Sequence, residues 1–147
     1  MTKKNTGELL QLMKNRMEYS EYLKDNGDEL IFDEGGRLPM ALDRLLKQKK
    51  MRRAQVIADA NMAESTGYQI FSGKRGASRD KVIALSFGFH LDLEETQQFL
   101  AAAGYGALYA RNARDNAIIY AIQNRYGIVQ LELLLESYGF PQLGNSE

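Results

Sequence analysis

The sequence contains no cysteine and only one histidine, and these two shortages exclude several kinds of chemistry. Without cysteine the chain forms neither disulfides nor thiolate zinc sites, and it has no cysteine nucleophile. With His90 alone, a histidine metal centre or a Ser/His/Asp triad lacks the partners that it needs. No other set of titratable residues converges in the way that an active site requires. We therefore expect a protein with no metal, no cofactor and no catalytic residue.

Long apolar runs are also absent from the sequence. No stretch approaches the roughly 18 consecutive apolar residues of a membrane helix, and residues 1–16 lack the apolar centre of a signal peptide. We therefore expect a cytoplasmic protein without a membrane partner. The composition, 44% hydrophobic and 26% charged over 147 residues, is that of an ordinary globular domain.

Net charge is a further absence, because 19 Lys and Arg side chains balance 19 Asp and Glu side chains. Taken over the whole chain, this balance argues against a nucleic-acid partner. The signs are nevertheless separated along the sequence. Residues 44–81 carry ten basic and three acidic side chains, a net charge of +7, whereas residues 1–36 carry −3 and residues 82–147 carry −4. A polyanion would therefore meet a basic middle segment between two acidic flanks, and we expect those flanks to lie away from the basic face.

Apolar residues recur at helical spacing nearly throughout, which predicts an all-α protein. The expected domains are an N-terminal helical extension (1–36), a central domain (37–104) and a C-terminal helical hairpin (105–147) that packs on the core or extends it. Within these domains we expect helices at residues 6–26, from Pro39 onward, at 53–60, at 64–72, from Ser78 onward, from Asp92 onward, at 112–126 and at 128–138. The hairpin should be apolar through Ile118, Ile119, Ile122, Val129, Leu131, Leu133, Leu134 and Leu135.

The ends of the predicted helices carry recognisable signals. Asn61 and Gly73 follow two helices at positions where a left-handed backbone is typical. Ser78 and Asp92 precede two others and are good N-caps. Because the turn between helix 53–60 and helix 64–72 is short, these two helices should meet at a steep angle, as in a helix-turn-helix motif.

The stretch 40–90 resembles the DNA-binding domains of the Cro and phage-repressor class, also called XRE-type. The resemblance is carried by Val56, Ile57, Asn61, Ile70, the Ser72-Gly73-Lys74-Arg75 turn and Ser78. In that class a glycine ends the second helix and another follows twelve residues later, before a basic loop that contains proline and a Ser-capped helix. Asn61 and Gly73 reproduce that spacing.

The resemblance extends to a group of small bacterial proteins that carry this domain with a helical C-terminal extension, and it covers about residues 38–143. It implies a lambda-repressor-like fold, in which five helices form a helix-turn-helix domain, with an N-terminal helix and a C-terminal helical hairpin added. The function that it implies is transcriptional regulation by binding double-stranded DNA.

By position, the resemblance implies that bases are contacted from the N-terminal half of helix 64–72, which supplies Glu64, Ser65, Thr66 and Gln69. Gln69 is the strongest candidate, because an amide can donate to and accept from adenine N6 and N7. Phosphates should be held on both sides of this helix. The residues expected to hold them are Arg52, Arg53, Lys74, Arg75, Ser78 and Arg79.

Three residues depart from the pattern of the class. Ala63 replaces a capping Ser, Thr or Asn, and Gly67 replaces a bulky core residue inside a helix, where glycine costs about 1 kcal/mol relative to alanine. Glu64 would face phosphates; it could accept from a cytosine N4, or simply favour the positive end of the helix dipole.

Those departures favour an alternative function, a non-catalytic protein-protein interaction or adaptor module built on a helix-turn-helix scaffold. Self-association is also an open expectation. The apolar stripe at the C-terminal end is either core or the contact surface of a homodimer, since proteins of this class bind paired half-sites. That stripe consists of Leu131, Leu134, Leu135, Tyr138 and Phe140.

Overall fold

The computed structural model describes residues 37–145, and within that range the chain is α-helical with one short 3-10 turn and no strand. The predicted all-α class is confirmed for these residues, whereas the predicted helix 6–26 lies outside them. In chain order the helices are α1 (Arg37–Lys49), α2 (Arg53–Asp59), α3 (Glu64–Ser72), α4 (Arg79–Gly88), α5 (Leu93–Ala102), α6 (Ala113–Gln123) and α7 (Ile128–Ser137), and the 3-10 turn is Leu143–Asn145.

Both left-handed helix ends that the sequence predicts are confirmed. Asn61, just after α2, has a φ of 53°, and Gly73, which ends α3, has a φ of 83°. Short polar side chains and glycine tolerate this conformation, in which the last turn of a helix can close its backbone hydrogen bonds. Two residues at the ends of α2 and α3 therefore set the length of each helix.

The two predicted N-caps are also confirmed. Ser78 Oγ accepts the backbone N–H of Lys81 at 3.2 Å, at the start of α4. At the start of α5, Asp92 accepts the N–H of Glu95 at 2.8 Å, and the Glu95 carboxylate accepts the N–H of Asp92 at 3.1 Å. This reciprocal capping box satisfies two N–H groups that the helix cannot satisfy itself.

Helix α4 is the centre of the core. Every residue from 82 to 89 is buried, and α4 contacts α2, α5, α7 and the 3-10 turn. A helical segment that is apolar on all sides is stable only when other elements cover it, and these elements cover residues 82–89. Fully buried side chains from the neighbouring elements complete the core, among them Leu42, Val56, Ile70, Leu100, Ile118, Leu131 and Leu135.

Two glycines allow helices to cross α2 at very short range. A Cβ built on Gly67 of α3 would lie 2.6 Å from Ile57 Cγ1, and one built on Gly88 of α4 would lie 2.5 Å from the carbonyl oxygen of Val56. Real Cβ atoms do not approach other atoms so closely. Gly67 therefore permits α3 to rest on Ile57, which corrects its interpretation as a weakness of the helix.

The C-terminal segment packs back on α4 through α7. Glu132 of α7 accepts the backbone N–H groups of Leu143 at 2.7 Å and of Gly144 at 3.1 Å. This fixes the 3-10 turn, so that Leu143 is buried against the core. The expectation that the apolar residues of the hairpin belong to its buried face is wrong for Val129 and Leu133, which are 61% and 57% exposed.

Candidate nucleic-acid interface

Helix α3 separates its side chains into a buried face and an exposed face. Ile70 and Phe71 are buried, and Gly67 lies against α2. The exposed positions are polar except for Tyr68, which is 38% exposed. Of the four residues predicted to contact bases, Thr66 is half-buried and the other three are exposed, namely Glu64, Ser65 and Gln69. The side chains available on this face can therefore donate and accept hydrogen bonds.

The basic turn after α3 folds back on the helix. Arg75 donates from Nη1 to Thr66 Oγ1 at 3.4 Å, and its backbone N–H donates to the carbonyl of Gln69 at 3.3 Å. Ser72 Oγ also donates to the Gln69 carbonyl, at 3.1 Å. The structure thus places the cation Arg75 next to Thr66 and Gln69, two of the residues predicted to contact bases.

The same turn is anchored at its far end. The Tyr105 hydroxyl donates to the carbonyl of Ala77, and Ser78, half-buried, caps α4. Lys74 and Arg75, which precede these anchors, are exposed. Exposed cationic side chains on an anchored turn suit contacts to phosphate, whose oxygens tolerate variable approach angles.

Two further cations lie at the beginning of α2. Arg52 is the N-cap residue, in extended backbone, and Arg53 is the first residue of the helix; both are exposed. Among residues 37–145 neither guanidinium takes part in an ion pair. Their charges are therefore uncompensated within the part of the chain that the structure describes.

Arg79 differs from the other predicted phosphate contacts, because its guanidinium is committed to its own chain. Nη1 and Nη2 donate to the Asp115 carboxylate at 3.1 and 3.0 Å. Nε donates to the carbonyl of Gly106 at 3.2 Å, and Nη2 donates also to that of Ala107 at 3.0 Å. The hydrogen bonds to Asp115 raise the pKa of Arg79, despite the opposing effect of burial. The Arg79 side chain therefore links α4 to α6 within the chain.

A second ion pair lies directly beside the first. Arg114 donates from Nη1 and Nη2 to the Asp80 carboxylate at 2.8 and 2.9 Å, and from Nε to the carbonyl of Pro141 at 2.9 Å. Consecutive residues of α4 thus pair with consecutive residues of α6, with the signs reversed. Because Asp80 is compensated in this way, it subtracts little from the positive potential of the basic segment.

Sequence reasoning missed two residues next to α3. Asn61 and Lys81 line a cavity of about 200 Å³ that Thr66 also borders. Asn61 belongs to the turn just before α3, whereas the proximity of Lys81 depends on how α4 packs, which position in the sequence alone could not reveal. Glu132 borders the same cavity, so one acidic residue of the C-terminal flank lies near α3, although that flank was expected to lie away from it. Its carboxylate accepts the two N–H groups of the 3-10 turn, which disperses its charge.

Residues 37–145 show neither a metal site nor a membrane-spanning helix. Residues 37–145 contain no group of three His, Asp or Glu side chains placed to hold a metal ion. In the same range no helix combines the length and apolarity needed to cross a membrane. His90 contacts Asp59 through Nε2 at 2.9 Å on an exposed surface.

Comparison with known proteins does not name a family. No family model, curated protein or solved structure matches the sequence. The resemblance to the XRE-type class therefore stays a prediction.

Proposed function

We propose that the protein is a sequence-specific DNA-binding protein, a cytoplasmic transcriptional regulator that inserts α3 into the major groove. In this proposal α1–α5 form a lambda-repressor-like helix-turn-helix domain, with α2 and α3 as the two helices of the motif. The observation that carries the proposal is the exposed face of α3, which is polar and is followed by a turn with two exposed cations, Lys74 and Arg75, that form no ion pair among the described residues. A protein of this kind acts by occupying an operator, so it needs no catalytic residue or cofactor.

Base contacts are assigned to the exposed residues of α3. Gln69 can make paired hydrogen bonds with adenine N6 and N7, and Ser65 and Thr66 can bond a base edge or a phosphate. Glu64 can accept from a cytosine N4. Because Gly67 packs directly on Ile57, α3 lies at a fixed distance from α2. A helix that contacts base edges needs such a fixed position.

Phosphate contacts are assigned to Arg52 and Arg53 before the motif and to Lys74 and Arg75 after it. The N-terminus of α4 at Ser78 can add backbone N–H donors. Arg79 is left out of this set, since four donations to its own chain already occupy the guanidinium. Contacts of this kind supply affinity and orientation with little sequence information.

A titration of labelled duplexes followed by fluorescence anisotropy tests the proposal. Log K should fall with log salt by about 0.9 for each phosphate neutralised, so four cations give a slope of about −3 to −4. The double variant Arg53→Ala/Arg75→Ala should bind every duplex more weakly and with a smaller slope. Arg111→Ala, which removes an exposed arginine outside the proposed contacts, is the matched control. Absence of salt-sensitive binding to a mixed pool of duplexes would reject the proposal.

The alternative is a non-catalytic protein-protein interaction module on the same scaffold. It is favoured by Glu64, which is exposed at the start of α3 where a DNA-bound domain would meet phosphate. Retention on heparin resin distinguishes the two functions. A protein with a DNA-binding surface binds heparin at low salt and elutes only as the salt concentration is raised. A chain that passes through heparin at low salt but remains folded supports the interaction module.

A further inference from the structure

The cavity of about 200 Å³ beside α3 lies where the start of that helix meets the C-terminal segment. The turn before α3 lines one part of it, α4 lines another, and α7 and the 3-10 turn line the rest. A molecule held there would contact elements that are far apart in sequence. We call this space the junction cavity; the side chains that matter for its chemistry are Asn61, Met62, Thr66, Lys81, Ile128 and Glu132.

Two opposite charges line the junction cavity without pairing with each other. Lys81 comes from α4 and Glu132 from α7, and both residues are half-buried. Lys81 forms no ion pair with Glu132 or with any other residue of the range 37–145. A charge that is partly withdrawn from water gains more from a partner than an exposed charge does. The cavity therefore presents a cation that lacks a partner, together with a carboxylate that does not reach it.

Glu132 can accept further hydrogen bonds. Its Oε1 accepts the N–H of Leu143 at 2.7 Å, and its Oε2 accepts the N–H of Gly144 at 3.1 Å. A carboxylate has about four acceptor sites, so about two stay available to a donor in the cavity. The two bonds to the 3-10 turn also hold the carboxylate in place. A ligand would therefore meet an acceptor that is already ordered, which lowers the cost of binding.

The remaining side chains of the lining are neutral. Asn61 has an amide, and Thr66 has a hydroxyl that accepts from Arg75 at 3.4 Å and can still donate. Met62 and Ile128 add apolar surface, and no aromatic side chain borders the cavity. Binding sites for small molecules commonly combine a few polar groups with apolar walls in this way. The apolar part of this lining suits a short aliphatic group.

The volume limits the ligand to a small molecule. Pockets for drug-sized ligands measure about 300–1,000 Å³, which is more than the junction cavity offers. A cavity of about 150 Å³ is known to hold benzene. A space of about 200 Å³ therefore suits a molecule slightly larger than benzene, and it is too small for a nucleotide.

We propose that the junction cavity binds a free amino acid with a short aliphatic side chain. The carboxylate of the ligand pairs with the Lys81 ammonium, and the ammonium of the ligand pairs with the Glu132 carboxylate. A simple anion would pair with Lys81 alone and leave Glu132 unmatched, whereas a simple amine would do the reverse. Only a small zwitterion complements both charges. The proposal does not depend on whether α3 binds DNA.

A titration of the full chain with L-valine at constant ionic strength, followed by amide chemical shifts, tests the site. The shifts of Thr66, Lys81 and Gly144 should change and reach saturation. Isovalerate and isobutylamine have nearly the same carbon skeleton, but each lacks one of the two charges. Each should bind at least about tenfold more weakly than L-valine, since a hydrogen bond to a charged group contributes about that factor.

Lys81→Met should raise the dissociation constant of L-valine by at least about tenfold. Lys47→Met is the matched control, because Lys47 is an exposed helical lysine outside the cavity, and it should leave that constant unchanged. Circular dichroism verifies that both variants are folded. If Lys81→Met does not fold, the comparison of the three ligands on the wild type still decides the question.

Three results would overturn the proposal. The first is the absence of saturable shifts at the cavity with both L-alanine and L-valine. The second is binding of isovalerate or isobutylamine as tight as that of L-valine, which would leave one of the two charges without a role. The third is unchanged binding of L-valine by folded Lys81→Met. Because no DNA enters the titration, its failure is distinct from failure of DNA binding.

Discussion

The Arg79 guanidinium and the Asp115 carboxylate form a two-bond ion pair across 36 residues of sequence, at N–O distances of 3.1 and 3.0 Å. Asp115 also accepts the backbone N–H of Tyr109 at 3.0 Å. Burial by itself would raise the pKa of Asp115, but the bonds from Arg79 and Tyr109 outweigh it and the pKa lies below its usual value. This pair ties the start of α4, where the basic turn ends, to the C-terminal helices.

The ion pair predicts a pH-dependent stability. Since the pKa of Asp115 is lower in the folded chain, its contribution is complete above the unfolded value of about 4 and is lost as the pH falls toward the folded value. Asp115→Asn should lower the free energy of unfolding by about 2 kcal/mol at neutral pH. Urea titrations should show this difference shrinking below about pH 4.

The control for that prediction is Lys49→Ala. Lys49 pairs with Glu95 at 2.6 Å, but both side chains are about one-third exposed. Loss of such a surface pair should change stability by about 0.5 kcal/mol or less. A difference between wild type and Asp115→Asn that does not vary with pH would contradict the assigned role of Asp115.

Gly67→Ala should destabilise the chain although alanine is the better helix former. Alanine would gain about 1 kcal/mol in helix propensity. Its Cβ would nevertheless lie 2.6–2.7 Å from three atoms of Ile57, which is 3% exposed and has little room to move. Overpacking of this kind costs about 1–3 kcal/mol, so the clash should win.

Thermal and urea unfolding measure the effect of Gly67→Ala. Gly106→Ala is the matched control, since its Cβ would meet no atom within 4 Å. Adding Ile57→Val removes one of the three clashing atoms. The double variant should therefore lose less free energy of unfolding than the two single variants lose together. Strict additivity would show that the contact with Ile57 is not the cause.

Ala63→Ser should stabilise the protein by supplying the missing cap of α3. Ala63 is the N-cap residue, with an extended ψ of 135°, and makes no side-chain cap hydrogen bond. Serine at such a position is worth about 0.5–1 kcal/mol. The reverse change at the occupied cap, Ser78→Ala, should cost about 1 kcal/mol. Urea midpoints that move in the same direction for both variants would refute the capping argument.

Arg75 and Arg79 should separate DNA affinity from stability. Arg75→Ala should leave the melting temperature nearly unchanged and reduce the salt slope of DNA binding by about 0.9. Arg79→Ala should leave that slope unchanged and lower the stability by about 2 kcal/mol, because Asp115 loses its partner. Anisotropy titrations and urea unfolding of both variants measure the two effects. A smaller salt slope for Arg79→Ala at full stability would restore Arg79 to the phosphate contacts.

If the proposed DNA complex forms, Gln69→Ala should relax its sequence specificity at a single base pair. Loss of a paired contact to adenine removes about 1–3 kcal/mol of discrimination there and leaves affinity for unrelated duplexes nearly unchanged. Selection of bound sequences from a random duplex pool, with wild type and variant in parallel, measures the change. An unaltered preference at every position would remove Gln69 from the base contacts.

Local chemistry predicted much of the secondary structure from the sequence. Helix 64–72 begins and ends where it was expected, and Asn61, Gly73, Ser78 and Asp92 take the expected helix-end positions. Such features depend on residues a few positions apart, whose interactions the order of amino acids already contains.

Contacts between distant segments were beyond the same reasoning. Nothing in the spacing of Arg79 and Asp115 indicates that they meet. Helix propensity alone makes Gly67 unfavourable, whereas the packing of α3 on Ile57 of α2 leaves no room for a Cβ there. Val129 and Leu133 fit an apolar stripe but face outward, because a helix shows its periodicity without showing which side its neighbours cover.

The sequence by itself therefore determined that the described chain is all-α, where most of its helices begin, and that positive charge gathers in the middle of the chain. Only the tertiary structure decided which cations stay exposed, because helix packing places Asp115 beside Arg79 and the two form an ion pair. It also decided which apolar side chains remain outside the core. Both outcomes depend on burial and on ion pairing between elements far apart in sequence, and these follow from the packing of helices on α4.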